Sequence, residues 1–160
     1  PVTRRRFDGW VLRRALLGEM VAKIETARFA RTLGTLLANG VTLLSGLSIV
    51  KETLGNRAMG DALDGVIAKL REGKGFGRPL LDTGLYPPLA TQMILVGEES
   101  GKLEEMLTRV ADLYDREVQL VIKRFLAVLE PVMILGLAVI VGFIVLSIML
   151  GVLGMNDLVT

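Results

Sequence analysis

The side chains in this sequence that are candidates for catalysis or metal binding are two pairs of adjacent carboxylates. Glu98 and Glu99 lie in the run GEESG, and Glu104 and Glu105 follow shortly after it. Carboxylates can supply an acid and a base, or they can ligate a hard cation such as Ca²⁺ or Mg²⁺. Adjacent residues of a helix do not face each other, so neither pair converges on one ligand by itself. A catalytic or metal site would need further groups.

Histidine and cysteine are both absent from the 160 residues. Their absence excludes disulfides, cysteine nucleophiles, zinc sites built on these residues, histidine bases and Ser-His-Asp triads. The sequence therefore indicates a protein that is not an enzyme and that has no cofactor and no bound metal. One alternative stays open: a membrane-anchored regulatory or transport subunit that binds a cation through its acidic turns.

The two acidic pairs occupy different ends of predicted helices. The later pair falls in a first turn, where acids complement the positive end of the helix dipole. The earlier pair falls near the end of the preceding helix, where acids oppose the dipole, so it needs a cationic partner. We predict an ion-pair tie that joins Glu98 and Glu99 to Arg28 or Arg31.

The run GKGFGRP, Gly73 to Pro79, has glycines at alternating positions and two cations. A phosphate cradle of the P-loop type uses glycines and a lysine in a similar way. No strand pattern precedes this run, however, and the Lys-Ser/Thr ending of a P-loop is lacking. We therefore predict a plain glycine-rich loop.

The longest apolar element is the run from Pro131 to Met155, which contains no charged residue and only one hydroxyl, Ser147. About 20 helical residues cross a hydrocarbon core of ~30 Å, and 160 residues are too few to surround a helix that is apolar on every side. The run predicts a transmembrane helix. Arg116, Lys123 and Arg124 precede it and no basic residue follows it, so the positive-inside rule places its amino-terminal side in the cytoplasm.

Helical periodicity extends through almost all of the remaining chain, and strand patterns are nearly absent. The predicted fold is all-α: an antiparallel helical bundle that continues into one C-terminal transmembrane helix. Gly40 and Gly101 are the predicted turns of two helical hairpins. The predicted helices cover residues 7–20, 21–38, 43–54, 58–72, 88–99 and a last helix from 102 into the membrane.

Four segments follow from this pattern: a basic amphipathic membrane-proximal segment at 1–20, a cytoplasmic helical bundle at 21–129, the membrane helix at 130–155 and a periplasmic tail at 156–160. The net charge is only +2, so the basic pI does not indicate a nucleic-acid partner. The arginines near the start either contact the cytoplasmic leaflet or form a solvated end. Because the chain begins without Met, we expect it to be a piece of a longer protein.

Glu130 lies at the predicted membrane boundary, and its helical neighbours are all apolar. A carboxylate there costs free energy unless it reaches headgroups, water or a partner subunit. Two interpretations stay open: the side chain extends to the interface, or it packs against another helix. Pro131 follows directly and predicts a kink between the bundle and the membrane helix.

Several motifs occur in one order along the chain: ARFARTLGTLLANGVTLL at 27–44, GLYPPL at 84–89, GEESGKLEEML at 97–107, EP at 130–131 and the ending MNDLV. In this order the chain resembles the bacterial type II secretion protein F family, which includes the platform proteins of type IV pili. The resemblance spans nearly the whole chain. Ala15, Thr42 and Gly151 stand where that family often has proline, so local geometry at these turn or kink positions is expected to differ.

The resemblance implies an inner-membrane assembly platform without catalytic activity. This chain is similar to the second of the family's two cytoplasmic bundles with the last of its three membrane helices. The implied partners are the cytoplasmic assembly ATPase, whose motion would pass to pilins or pseudopilins, other inner-membrane secretion components, the lipid bilayer and further copies of the protein. The residues expected to have interaction or structural roles are Arg28, Arg31, Gly40, Gly97, Glu98, Glu99, Ser100, Gly101, Glu130 and Pro131.

Overall fold

Six α-helices make up the part of the chain that the structure describes, and no strand occurs among those residues. The structure is a computed structural model that describes the backbone of residues 2–156 and the side chains of residues 17–153. The all-α prediction is confirmed. The helices are α1 (Val2–Ala38), α2 (Leu43–Thr53), α3 (Arg57–Arg71), α4 (Gly77–Asp82), α5 (Pro88–Glu99) and α6 (Leu103–Asn156).

Local sequence signals account for most of the helix ends. The Thr42 hydroxyl accepts a hydrogen bond from the Ser45 N–H at 3.4 Å, and the Asn56 side chain accepts one from the Met59 N–H at 3.2 Å. These contacts satisfy amides that a helix start leaves without a partner. Pro88 begins α5, where its missing N–H costs nothing.

The two predicted hairpin turns lie at Gly40 and Gly101, which have φ angles of 80° and 71°. After α1 the Val41 N–H donates to the Leu36 carbonyl at 3.0 Å, and after α5 the Lys102 N–H donates to the Gly97 carbonyl at 2.8 Å. This bonding pattern needs a residue in the left-handed region, which glycine adopts without strain.

The helices differ from the predicted ones in two places. Residues 7–20 and 21–38 form one helix, α1, because Gly18 weakens a long helix without breaking it. The predicted glycine-rich loop at 73–79 is shorter than expected, because the short helix α4 begins at Gly77. Pro79 lies in the first turn of this helix. The predicted segments at 1–20 and 156–160 lie largely outside the described side chains and stay predictions.

The chain divides into two units, Pro1–Gln119 and Leu120–Thr160. The first unit contains one hydrophobic core to which all six helices contribute. Three aromatic rings mark its centre: Phe29 lies 6.3 Å from Phe76 and 5.3 Å from Tyr86 between ring centroids. The Tyr86 hydroxyl donates to the Met59 carbonyl at 3.2 Å, so its polar atom is satisfied inside the core.

The described residues of the second unit form the later part of α6, and their described side chains are exposed and almost entirely apolar. Among the described residues, α6 is the one helix long and apolar enough to cross a membrane. Pro131 lies inside α6, and the helix extends on both sides of it. This agrees with the predicted helix that continues from the bundle into an apolar span.

Candidate functional site

Glu98 lies on α5 and holds the backbone at the start of α4. Its carboxylate accepts hydrogen bonds from the Phe76 N–H at 2.6 Å and from the Gly77 N–H at 2.7 Å. A Cβ at residue 77 would lie 2.7 Å from the Leu95 Cα, so α4 approaches α5 this closely only because that residue is glycine. The glycine-rich run therefore does bind an anion through its amides, and that anion is the protein's own carboxylate.

Arg31 joins α1 to α6. Its Nη2 atom lies 2.7 Å from an oxygen of Asp112 and 2.7 Å from an oxygen of Asp115. Both hydrogen bonds raise the pKa of the Arg31 guanidinium above its ordinary value, and the bond to Asp115 has the larger effect. All three side chains are exposed, so we expect this tie to contribute only about 1 kcal/mol or less to stability.

The predicted tie from Arg28 or Arg31 to the acidic pair of α5 is wrong. Arg28 contacts Glu25 within α1, at 3.5 Å, and Arg31 contacts acids of α6. Glu98 needs no cation because two backbone amides satisfy its carboxylate. Glu99 is exposed to solvent, where opposing the helix dipole costs little.

Glu25 is a second structural carboxylate, and sequence reasoning missed it. It is buried, and it accepts a hydrogen bond from the Gly55 N–H, in the turn between α2 and α3, at 2.9 Å. The signal for it is the position of an acid four residues before Phe29, on the face of α1 that packs into the core. Glu25 and Glu98 act in the same way: each lies on a helix and accepts N–H bonds from a loop that adjoins α3.

Lys23 forms a second tie between α1 and α6. Its ammonium lies 2.9 Å from Glu117 and 3.0 Å from Glu19. The hydrogen bond to Glu117, followed by that to Glu19, raises the pKa of Lys23 above its ordinary value. Together with the Arg31 pairs, the Lys23 contact joins α1 and α6 by ion pairs at two positions along the helices.

The turn between α5 and α6 contains the predicted residues 97–101. Gly97 is buried, and a Cβ there would lie 2.7 Å from the Met106 Cβ, so the two helices touch at this glycine. The Ser100 hydroxyl donates to the Gly97 carbonyl at 3.4 Å, and Gly101 makes the turn. These residues shape the hairpin. Of the side chains that the structure describes, no three acids are grouped as a metal site requires.

Glu130 and Pro131 lie together on α6 in the second unit, and both are exposed. The structure places no described side chain within ion-pair distance of the Glu130 carboxylate. The two interpretations of Glu130, contact with the interface or with another helix, stay predictions.

The family model described as "Type II secretion system (T2SS), protein F" matches residues 29–151. Among curated relatives, the type IV pilus assembly protein PilC of Myxococcus xanthus is 39% identical over 142 residues, which cover 89% of this chain and 34% of that protein. The type II secretion system protein F of Xanthomonas campestris is 38% identical over 146 residues, 91% of this chain and 36% of that protein. That of Aeromonas hydrophila is 38% identical over 156 residues, 98% of this chain and 40% of that protein.

The chain therefore spans between about a third and two fifths of the length of these relatives. The matched region begins at Phe29 of the core and ends in the apolar part of α6. It includes the Arg31 and Glu98 contacts and both halves of the α5 to α6 hairpin. By the extent of this match, the chain belongs to the type II secretion system protein F family.

Proposed function

We propose that this chain is part of the inner-membrane platform of a type II secretion or type IV pilus-like machine, and that it couples the cytoplasmic assembly ATPase to the assembly of pilin or pseudopilin subunits. In this role it has no catalytic activity of its own. Its relatives are named as secretion system and pilus assembly proteins, and these names support the assignment of the chain to such a machine.

The observation that carries the proposal is the continuity of α6. This helix contributes Leu107, Val110 and Tyr114 to the core of the bundle and then extends through the long apolar stretch to Asn156. Residues of α6 therefore belong to both units. A partner that binds the bundle would thus act on an element that is also the membrane anchor.

The proposed topology places the bundle in the cytoplasm and the residues after α6 in the periplasm, within a protein of several membrane spans. Arg116, Lys123 and Arg124 support it by the positive-inside rule. On this proposal, residues 97–101 fix the hairpin that presents α6, and Glu130 with Pro131 marks the joint between bundle and membrane. Other inner-membrane components, pseudopilins, lipid and further copies of the protein are the remaining proposed partners.

The experiment is a binding measurement between the assembly ATPase of the same organism and the full-length membrane protein in nanodiscs, with and without nucleotide. We expect saturable binding, and we expect charge reversal at exposed acids of the α5 to α6 turn, Glu99→Lys with Glu104→Lys, to weaken it. Asp82→Lys on α4 is the matched control at another exposed site. Absence of binding by the full-length protein in every nucleotide state would overturn the coupling role.

A further inference from the structure

Residues 120–130 of α6 precede the charge-free run that begins at Pro131, and most of their side chains are large and apolar. The described part of the chain leaves these side chains exposed, from 40% at Val121 to 68% at Phe125. They are Leu120, Val121, Ile122, Phe125, Leu126, Val128 and Leu129. So large a contiguous apolar surface indicates a contact with lipid or with protein.

The length of the helix leaves no room for residues 120–130 in the hydrocarbon core of a bilayer. The run from Pro131 to Leu153 is about 35 Å long at the rise of an α-helix, which already exceeds a core of ~30 Å. A straight helix from Leu120 to Leu153 would have to tilt beyond the ~40° that membrane helices reach. Residues 120–130 therefore lie at the amino-terminal edge of the span, and their apolar side chains favour the headgroup region over water.

The segment has two faces. At about 100° per residue, Lys123 and Glu130 lie on one face, Arg124 lies at its edge, and Leu120 is the large apolar side chain between the two cations. The opposite face is entirely apolar and consists of Val121, Phe125, Val128 and Leu129. A helix that lies in the plane of the membrane interface has this division, with cations on its polar face and aromatic or aliphatic side chains on the other.

The charge of the segment is predominantly positive, and its cations are not neutralised along the helix. Lys123 and Arg124 are the only charged residues between Glu117 and Glu130, and no acid lies three or four residues from either of them. Neither forms an ion pair among the described side chains. Glu130 is about 10 Å further along the helix than Lys123, where salt screens much of its charge.

The direction of the side chains favours headgroup phosphates as the partners of these cations. Side chains of an α-helix tilt toward its amino terminus, which for α6 is the direction away from the apolar run. Lys123 and Arg124 can therefore keep their stems along apolar surface and extend their charged ends out of the lipid.

Pro131 lies where the segment would turn from the interface into the membrane. Proline has no N–H, so the carbonyl of Ala127, four residues earlier, lacks its usual partner in the helix. Helices bend at such a position. The bend allows residues 120–130 to lie along the surface while the apolar run crosses the bilayer.

We propose that residues 120–130 form an interfacial segment that lies along the bilayer surface, with the face around Phe125 in the lipid and with Lys123 and Arg124 bound to phosphates of anionic phospholipids. A protein helix would also cover the apolar face, but it would leave the two cations unexplained. The inference rests on the proposed membrane span of α6. It depends neither on coupling to an ATPase nor on the side of the membrane on which the bundle lies.

Spin labels at single cysteines test the position of the segment, since the chain has no cysteine. Collisions of the label with O₂ report lipid, and collisions with a water-soluble nickel complex report water. Phe125→Cys lies on the apolar face, Ala127→Cys on the polar face, Ile140→Cys in the apolar run and Glu99→Cys in the bundle. The 160-residue chain is placed in nanodiscs of phosphatidylcholine with and without phosphatidylglycerol.

We expect the label at Phe125→Cys to collide with O₂ and to lie less deep than the label at Ile140→Cys. The label at Ala127→Cys should collide mainly with nickel, although it is only about 3 Å further along the helix. Glu99→Cys is the control for full exposure to water. Circular dichroism checks that each variant keeps its helical content.

Native mass spectrometry with added phosphatidylglycerol or phosphatidylcholine tests the lipid site. Lys123→Gln with Arg124→Gln should weaken phosphatidylglycerol binding about fivefold for each cation removed and should leave phosphatidylcholine binding unchanged. Lys102→Gln with Arg109→Gln is the matched control, because it removes the same charge from the bundle part of α6 and should have no such effect.

Several results would overturn the inference. An equal loss of phosphatidylglycerol in the two double variants would show an effect of net charge alone. A label at Phe125→Cys that is shielded from both reagents would assign the face to a protein partner, and one that collides only with nickel would place the segment in water. Equal O₂ collisions at Phe125→Cys and Ala127→Cys would immerse the whole helix.

The label at Ile140→Cys separates a failure of this inference from a failure of the proposed span. If it collides with O₂ while Phe125→Cys behaves in one of these ways, the span stands and the interfacial segment is wrong. If it collides with nickel as Glu99→Cys does, the span itself is wrong, and the inference is overturned with it.

Discussion

The Gly77 N–H donates to the Glu98 carboxylate at 2.7 Å, and the same glycine lets the start of α4 touch α5. The two residues depend on each other. A side chain at residue 77 would meet the Leu95 backbone and separate the helices, and without the carboxylate the amides of a buried turn would lose their acceptor. The joint between α4 and α5 therefore needs both the acid and the glycine.

Replacement of this acid should destabilise the bundle. Glu98→Gln keeps the shape but turns an amide group toward two N–H donors, so at least one donor loses its partner, and we expect a cost of about 1–3 kcal/mol. Thermal unfolding of the chain in detergent, followed by circular dichroism, measures the change. Glu99→Gln is the matched control at an exposed neighbour and should change stability by less than about 0.5 kcal/mol. Equal effects of the two variants would contradict this account of the joint.

Two glycine-to-alanine substitutions should change the stability of the protein in opposite directions. Gly97→Ala places a Cβ 2.7 Å from the Met106 Cβ and 3.2 Å from the Leu103 Cα, so α5 and α6 must separate, at a cost of about 1–3 kcal/mol. Gly65→Ala in α3 meets nothing within 4 Å and should stabilise the protein by about 0.5–1 kcal/mol through helix propensity. The same unfolding measurement compares them, and a stabilising Gly97→Ala would contradict the close helix contact.

The tyrosines should ionise late as pH rises. The chain has two of them, Tyr86 and Tyr114, and burial raises the pKa of both phenols above the ordinary value of 10.0, with nearby Glu25 and Glu117 adding to it. Since the folded pKa exceeds the unfolded one, this contribution to stability is present below pH ~10 and is lost as pH rises toward the folded pKa.

Absorbance of the phenolate near 295 nm tests this directly. In the folded chain the absorbance should appear well above pH ~10, and in denaturant at about pH 10. Tyr114→Phe should leave a single late transition from Tyr86. A native transition centred at the unfolded value would show that the phenols are open to solvent.

The proposed topology predicts opposite labelling of two single-cysteine variants. Since the chain has no cysteine, Glu99→Cys in the bundle and Val159→Cys after the apolar run each introduce a unique thiol. A membrane-impermeant maleimide added to intact spheroplasts should label Val159→Cys and should label Glu99→Cys only after lysis. Detergent solubilisation, in which both should react, is the control. The reverse pattern would place the bundle in the periplasm.

The helix pattern was predictable from sequence wherever local signals act. The ends of α2, α3 and α5 depend on caps, glycine turns and Pro88, all of which are short-range features. Helix α4 was missed because three alternating glycines predict a loop, whereas contact with α5 and the Glu98 carboxylate stabilises a short helix there. Tertiary packing outweighed local propensity at that place.

The ion pairs were less predictable than the helices. Arg31 and Asp112 are 81 residues apart, and their meeting depends on how α1 crosses α6, which no local pattern specifies. Arg28 or Arg31 was predicted to supply a cation to the acids of α5, but Arg28 pairs with Glu25 of α1 and Arg31 pairs with acids of α6. The Glu98 carboxylate was expected to need a cationic partner, and two backbone N–H groups take the place of that cation.

The position of α6 in the sequence has a consequence for biosynthesis. Leu107, Val110, Ala111 and Tyr114 are the last core residues of the bundle to leave the ribosome, and the apolar stretch follows them closely. Until they emerge, the core residues of α1 to α5 lack their last partner and expose apolar surface that invites aggregation or chaperone binding. Completion of the bundle and delivery of the apolar helix to the insertion machinery therefore fall in the same interval of translation.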